Sequence, residues 1–452
     1  MIKKILIANR GEIAARVIRS CKQLGIRSIA VFSEADQKSP YVEMADEAFL
    51  IGPPRVNESY LNMDKIITIA KEAGADAIHP GYGFLSENPA FAKSCEEAGI
   101  LFIGPRSDAM IKMGSKIEAR KTMKTAGVPI VPGNEAAIAT AEEAVRVAHE
   151  IGYPIMLKAS AGGGGIGMQV VHSDDELIKA FASNQKRAET FFGDGSMFLE
   201  KKVENARHIE IQILADHHGN VVHLFDRECS IQRRNQKVIE EAPSPFISQA
   251  TREAMGEAAV TAAKALAYTN AGTIEFLVDN QQHFYFLEMN TRIQVEHPIT
   301  EEITGVDIVA EQIHIANGNK LSYSQDDLRI DGHAIEARIY AENPETFFPS
   351  PGHITVFDMP TGSFVRNDTS VRQDMDITPY YDPMISKLIV KGRTREEAIT
   401  RMRQALSTFR VEGIQTNIPM LEKVVEHEAF QAGDTTTSFV EQYYLPLIKS
   451  KK

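Results

Sequence analysis

Apolar and polar residues follow two different rhythms along this chain. Through the first hundred residues, short apolar runs at 5–8, 28–32, 77–78 and 100–103 are separated by stretches with helical periodicity at 11–24, 63–73 and 89–98. Strands alternating with amphipathic helices predict a parallel sheet with crossover helices, a Rossmann-like start. Helical signals at 115–126 lead into Gly127-Val-Pro-Ile-Val-Pro-Gly133, which reads as a linker. An α+β segment follows, with helices expected at 141–151 and 174–190, and strands at 155–158, 168–171, 197–200, 209–215 and 221–224. A long helix near 249–267 precedes a hairpin over 273–290. Beyond Gly332 short strands and Pro/Gly turns take over, with one strong helix near 395–409.

Period two is strictest at Glu288-Met-Asn290-Thr-Arg292-Ile-Gln294-Val-Glu296-His-Pro298. In an extended segment the five polar side chains would share one face. That face serves either as the solvated side of an edge strand or as a site with metal-type oxygens, an anion-binding fork and a candidate base. Fully extended, residues 288–296 span roughly 26 Å, so a bend is needed for all five to meet one small substrate. A hairpin turn at Gln281-Gln282 pairs Asn280 with His283 and, counting back, sets Glu275 opposite Glu288. Opposed carboxylates repel unless something neutralises them, and hard oxygen ligands point to Mg²⁺ or Mn²⁺, with Asn290 as a third oxygen. A register slip of one residue would splay the acids apart.

Lys158-Ala-Ser-Ala-Gly162-Gly-Gly-Gly165-Ile-Gly167 lies between two expected strands. It contains GxGxxG, but a strand follows where the dinucleotide fingerprint needs a helix, and the chain has no GxxxxGK[ST] loop. The alternatives are a surface turn and a flap whose bare N–H groups fold over phosphates while Lys158 supplies charge. The first turn, Asn9-Arg10-Gly11-Glu12, also lacks the three-glycine fingerprint, which argues against a nicotinamide oxidoreductase.

Composition narrows the classes further. The 452 residues carry 49 Lys and Arg against 61 Asp and Glu, a net charge of −12, which disfavours nucleic-acid binding. Cys21, Cys95 and Cys229 form neither a disulfide framework nor a zinc motif, and the start is too weakly apolar for a signal peptide. The expectation is a cytoplasmic protein with no membrane association.

Several blocks in order then resemble the biotin carboxylase family of the ATP-grasp superfold over essentially the whole chain: Ala8-Asn-Arg-Gly-Glu-Ile-Ala14, His79-Pro-Gly-Tyr-Gly-Phe-Leu-Ser-Glu-Asn88, the glycine run, Arg207-His-Ile-Glu-Ile-Gln212, Cys229-Ser-Ile-Gln-Arg-Arg234, Glu240-Glu-Ala-Pro-Ser-Pro245, Glu288 to Pro298 and Pro379-Tyr-Tyr-Asp-Pro383. The resemblance implies a Rossmann-like N-terminal domain (1–113), an ATP-grasp domain (114–330) with a mobile glycine-rich lid subdomain near 131–203, and an α+β C-terminal domain (331–447). It implies ATP- and bicarbonate-dependent carboxylation of biotin carried on a separate biotin carboxyl carrier protein. Lys116, Lys158, Gly164 and Gly165 would hold phosphates. Glu200, Lys201, Lys202, Val203 and Leu277 would line the adenine pocket, with His208, Gln232 and Asn235 by the ribose and phosphates. Glu275, Glu288 and Asn290 would bind two Mg²⁺ or Mn²⁺ ions. Lys237, Arg292, Gln294 and Val295 would fix bicarbonate, Glu296 would be the general base, and Arg338, Tyr82 and Asp382 would face biotin.

Three positions depart from the family pattern: Ile166 where a basic residue precedes the last glycine, Asn235 for a frequent His, and Glu228 for Asp. No Ala-Met-Lys-Met attachment sequence is present, so the chain resembles a free-standing subunit that works with separate carboxyltransferase subunits, as in acetyl-CoA or another acyl-CoA carboxylase. Arg16, Arg19, Phe364 and Arg366 match positions used in homodimers. The rival readings are another ATP-grasp carboxylate ligase and a catalytically silent ATP- or carrier-binding subunit.

Overall fold

The computed structural model describes residues 1–134, 136–160 and 168–449; Gly164, Gly165 and Ile166 lie outside the described residues. The N-terminal strands run in the order Glu47–Gly52, Arg27–Ser33, Lys4–Ile7, Ala77–His79, Leu101–Phe102, all parallel. This is the strand order of a Rossmann half, and its switch point lies between Lys4–Ile7 and Ala77–His79, where such folds open a ligand crevice. Here the crevice is filled. Asn9 Nδ2 donates to Pro80 O at 2.7 Å and Tyr82 O at 2.8 Å, and Gly81, at φ +62°, lets the amide in. A Cβ on Gly81 would lie 2.9 Å from that nitrogen. The missing fingerprint therefore has a structural counterpart. The edge strand Glu47–Gly52 was not anticipated; only Ile51 is buried in it, and apolar Ala48 and Leu50 are exposed, so no polar–apolar alternation marks it.

The second rhythm builds an eight-stranded antiparallel sheet. Its order is Phe284–Asn290, Asn270–Val278, Arg207–Ala215, Val221–Arg233, Gln236–Ala242, His333–Tyr340, Met384–Gly392, Val365–Thr369. One ladder thus continues from the hairpin into the C-terminal segment through the pairing of Ile239 with Ala337 and Glu240 with Glu336. On one face, Ile209, Ile211, Ile274 and Phe276 pack with Met255, Ala259 and Ala262 of the helix Gln249–Ala265. Each large apolar side chain buried there contributes roughly 1.5–3 kcal/mol. The other face carries the polar residues considered below.

A third sheet, Met168–Val171, Ile155–Ala159, Met197–Lys201, is backed by the helices Ala141–Ile151 and Asp174–Phe192, whose N-caps Thr140 and Ser173 accept from Glu143 and Glu176 backbone N–H groups. Two expectations need correction. The strand expected at 221–224 runs on to Arg233, since its later residues are buried and polar rather than apolar. The period-two segment stays extended only to Asn290; Thr291 to Glu296 form a bend, and His297–Thr304 is a helix with Pro298 in its first turn. Among the described residues no helix is long and apolar enough to cross a membrane.

Candidate active site

The polar face of the eight-stranded sheet is organised in rows set by register. Glu288 opposes Glu275, Glu275 opposes Glu210, and Glu210 opposes Arg227, so four charged residues cross four strands side by side. Arg227 is fully buried, and each of its N–H groups finds an acceptor. Nε donates to Glu210 (2.6 Å), Nη1 to Gln212 (2.7 Å) and Thr300 (3.0 Å), and Nη2 to Thr273 (3.2 Å) and Gln294 (2.6 Å). Full satisfaction is what makes a buried guanidinium tolerable. Sequence reasoning missed Glu210, Gln212 and Arg227, although His208, Glu210 and Gln212 alternate with Ile209, Ile211 and Ile213 as plainly as the singled-out segment does.

The opposition of Glu275 and Glu288 holds, but by a different route from the one expected. Asp279, not Asn280, meets His283, its N–H donating to His283 O at 3.0 Å. The ladder then pairs Phe276 with Phe286, and a bulge at Leu287 restores Glu275 opposite Glu288. Glu275 is well supplied with partners: Lys237 Nζ at 2.9 Å, Asn290 Nδ2 at 2.8 Å, Gln294 Nε2 at 2.7 Å and His208 Nε2 at 3.0 Å. Burial alone would push its carboxyl up, but Lys237 and His208 hold it well below the ordinary range. Glu288 has no hydrogen-bond partner among the described residues, and burial and Glu275 together push it up. An uncompensated hard-oxygen donor beside a second carboxylate fits a divalent cation. Asn290 turns its amide oxygen to Arg292 Nη2 at 2.9 Å, so its role as a ligand would require that contact to exchange.

One cavity of about 490 Å³ collects nearly all the expected residues. At one end Lys116, Lys158, Glu200, Lys201, Lys202, Val203 and Leu277 line it, with His208, Gln232 and Asn235. Lys116 opens the helix Lys116–Thr125 and points into the cavity rather than to solvent, and burial lowers its pKa. Glu200 pairs with both Lys158 and Arg120. The Lys201 side chain turns away to Gly152 O (2.7 Å) and Tyr153 O (3.0 Å). Gln232 Nε2 donates to His208 Nδ1 at 3.0 Å and Cys229 O at 2.9 Å. Arg234 and Asn235, at φ +51° and +64°, form the two-residue turn between Val221–Arg233 and Gln236–Ala242. Asn tolerates that left-handed conformation, which accounts for its presence here.

At the other end Lys237 donates to Glu210 (2.6 Å), Glu275 (2.9 Å) and Glu296 (2.7 Å), and these acids raise its pKa well above normal despite burial. Glu296 sits between two cations, its second oxygen 3.0 Å from Arg338 Nη2. Burial opposes its ionisation, yet Lys237 and Arg338 hold it well below the ordinary range. Among the described residues the buried Arg338 Nε has no acceptor, and Asp382 lines the same cavity. Arg292 reaches across to Glu87 (2.9 Å), which also accepts from Thr291 N (3.0 Å), so the N-terminal segment clamps the bend. Glu87 was not singled out beforehand; it lies inside the His79 to Asn88 block. The Val295 carbonyl accepts from Lys387 at 2.8 Å. Tyr82 stands apart from the cavity lining, its hydroxyl donating to Glu12. Arg16, Arg19 and Arg366 surround a separate cavity of about 430 Å³ with Glu301, Asp307 and Asp368.

Comparison with known proteins bears on this geometry. Residues 1–110 match the family model for the biotin carboxylase N-terminal domain, 115–324 that for the carbamoyl-phosphate synthase L chain ATP binding domain, and 336–442 that for the biotin carboxylase C-terminal domain. The chain is 61% identical to a biotin carboxylase of Halalkalibacterium halodurans over 443 residues, 98% of each chain. It is 55% identical to a pyruvate carboxylase subunit of Methanothermobacter thermautotrophicus, covering 98% of this chain and 90% of that one. The crystal structure of the biotin carboxylase domain dimer of Hydrogenobacter thermophilus 2-oxoglutarate carboxylase, in complex with MgADP, ADP and bicarbonate, is 49% identical, with a TM-score of 0.95 and 98% of each chain covered.

Proposed function

The chain belongs to the biotin carboxylase family of ATP-dependent ligases, and on that premise we propose that it carboxylates N1′ of biotin on a separate carrier protein, by way of carboxyphosphate, in the 490 Å³ cavity. The observation that carries the proposal is the placement of Glu296 between Lys237 and Arg338, in the cavity that the paired acids also line and beside Glu275 on the same lysine.

ATP enters beside Lys116, Lys158 and the hinge 200–203, with the glycine run 161–167 as its lid. Glu275 and Glu288, with Asn290, would hold Mg²⁺ or Mn²⁺ ions, which supply neutralisation of phosphate charge. Bicarbonate takes up Lys237, Arg292, Gln294 and the Val295 backbone. Glu296 accepts its proton, and the bicarbonate oxygen attacks the γ-phosphorus as ADP leaves. Carboxyphosphate decomposes to CO₂ and phosphate; the released phosphate takes the N1′ proton of biotin while Arg338 stabilises the ureido oxygen, and N1′ then attacks the CO₂. The buried Arg338 Nε, with no acceptor, suits that oxygen.

The reading includes three domains at 1–113, 114–330 and 331–447, biotin contacts from Tyr82 and Asp382, and a homodimer joined through Arg16, Arg19, Phe364 and Arg366. It takes the acceptor to be an acyl-CoA, acetyl-CoA first, served by separate carboxyltransferase subunits. Kinship to a component of a pyruvate carboxylase makes pyruvate the alternative acceptor. ATPase activity that needs bicarbonate and rises with free biotin, together with ¹⁴C transfer from bicarbonate to biotin, is the expected result. ATP hydrolysis indifferent to both would overturn the proposal.

A further inference from the structure

Behind Arg338 lies a carboxylate pair that the proposed reaction does not use. Glu240 and Glu336 are directly opposed across the strands Gln236–Ala242 and His333–Tyr340, and they are 1% and 0% exposed. Directly opposed side chains have Cβ atoms about 5 Å apart. Neither oxygen of Glu336 has a hydrogen-bond partner, and no cation lies within ion-pair distance of it among the described residues. Glu240 has one cation, Arg338 Nη2, 2.5 Å from Oε1. Lys387, which opposes Arg338 on the next strand, is committed to Val295 O at 2.8 Å and Glu12 at 3.2 Å. Around the pair the face is apolar: Ala242, Ala334 and Ile389 pack against Ile299 and Ile303 of the helix His297–Thr304. Two carboxylates in such a place, with one cation within ion-pair distance of the pair, resist ionising together.

We infer that Glu336 is a neutral acid and that Glu240, which then carries the single negative charge of the pair, is the positioning residue that anchors Arg338 when Glu296 lets it go. The inference rests on the reading of Arg338 and Glu296 given above. Arg338 has two carboxylate partners, and one of them is the base. When Glu296 takes the bicarbonate proton its hold on the guanidinium weakens, and Glu240 is then the remaining anion that keeps the fork aimed at the ureido oxygen. Without Glu240, the guanidinium would follow the base.

The groups facing the pair are Arg338 on the same strand as Glu336, Lys237 beside Glu240, Cys229 on Val221–Arg233, whose thiol burial keeps neutral, Lys387 on Met384–Gly392, and Glu296 at the start of the helix. That helix also brings His297, which burial keeps neutral, and Glu301, which is paired with Arg16 and Arg366. Burial raises Glu336 far above the carboxylate range and Glu240 to about 7. As pH falls through about 7, the pair gains its second proton and Arg338 loses its anchor.

Infrared spectroscopy at pH 8 on the full chain should show a protonated-carboxyl band that Glu336→Gln removes and Glu240→Gln retains. In steady-state assays with free biotin, the wild type should lose turnover below about pH 7. Glu240→Gln should abolish that acid limb and raise KM for biotin at least tenfold over KM for ATP, with Glu240→Asp restoring part of the loss. A wild-type spectrum without the band, a band unmoved by Glu336→Gln, or an unchanged acid limb in Glu240→Gln would overturn the inference. Should Glu240→Gln fail to fold, the band in Glu336→Gln decides alone. Biotin-dependent turnover surviving in Arg338→Gln would instead overturn the assignment of Arg338 to biotin, and the infrared result would still judge the pair.

Discussion

The two ends of the carboxylate cluster around Lys237 solve the problem of burial in opposite ways. At the hairpin end Glu275 has Lys237, His208 and two amides, while Glu288, directly opposite, has no hydrogen-bond partner among the described residues and is pushed up. At the far end Glu296 lies between Lys237 and Arg338 and is held down. The first end carries unmet negative charge and suits an incoming cation. The second is already neutralised, so an anion enters it only by sharing cations that the protein's own acids now occupy. Lys237 belongs to both, which ties the charge state of one end to that of the other.

The sharpest way to break this contrast is at the far end. Glu296→Gln should lower bicarbonate-dependent turnover by about 100-fold or more, the usual scale for a lost general base, with little change in KM for ATP. Turnover near wild type would show that the base lies elsewhere. Next, Glu288→Gln should raise the Mg²⁺ concentration needed for half-maximal activity by about tenfold, while KM for bicarbonate stays within a small factor; equal effects on both would mean that the two ends are not distinct.

A buried acid remote from both ends calibrates the comparison. Burial raises Glu228 to about 7, since the hydroxyls of Ser230 and Ser244 compensate it only partly. The folded chain therefore binds a proton at Glu228 between about pH 4.5 and pH 7 that the unfolded chain has lost, and stability falls as pH rises through that window. Glu228→Gln removes this penalty. It should raise stability at pH 8 by up to about 3 kcal/mol, with the gain vanishing below pH ~4.5, as read by denaturant titration at each pH. A variant destabilised at pH 8 and less so in acid would show that Glu228 is held as an anion. The smallest effect is expected in the lid: Ile166→Arg should leave KM for ATP unchanged or lower it, because an added cation near phosphates attracts them. A marked rise would remove the lid from the phosphate end.

Much of the fold was legible because periodicity is local. The parallel start, the helices capped by Ser115, Thr140 and Ser173, and the hairpin over 273–290 follow from spacing and capping residues that lie within a few positions of one another. The facing of Glu275 and Glu288 was legible too, though the count that led to it skipped a bulge at Leu287 and compensated by misplacing the turn by one residue. The mostly polar, buried stretch from Asp226 to Arg233 was not legible as strand, because a central strand whose polar side chains find partners inside the protein has no apolar alternation to read.

The sequence by itself therefore determined the faces of the strands up to Asn290, the family, and the chemical inventory of the cavity. Tertiary structure alone decided who neutralises whom. Glu87 reaches Arg292 across 205 positions, Arg16 meets Glu301 across 285, and Lys387 holds the Val295 carbonyl across 92. A carboxylate's charge is set by burial and by the cations within a few ångströms of it, and neither is a property of its neighbours in the chain.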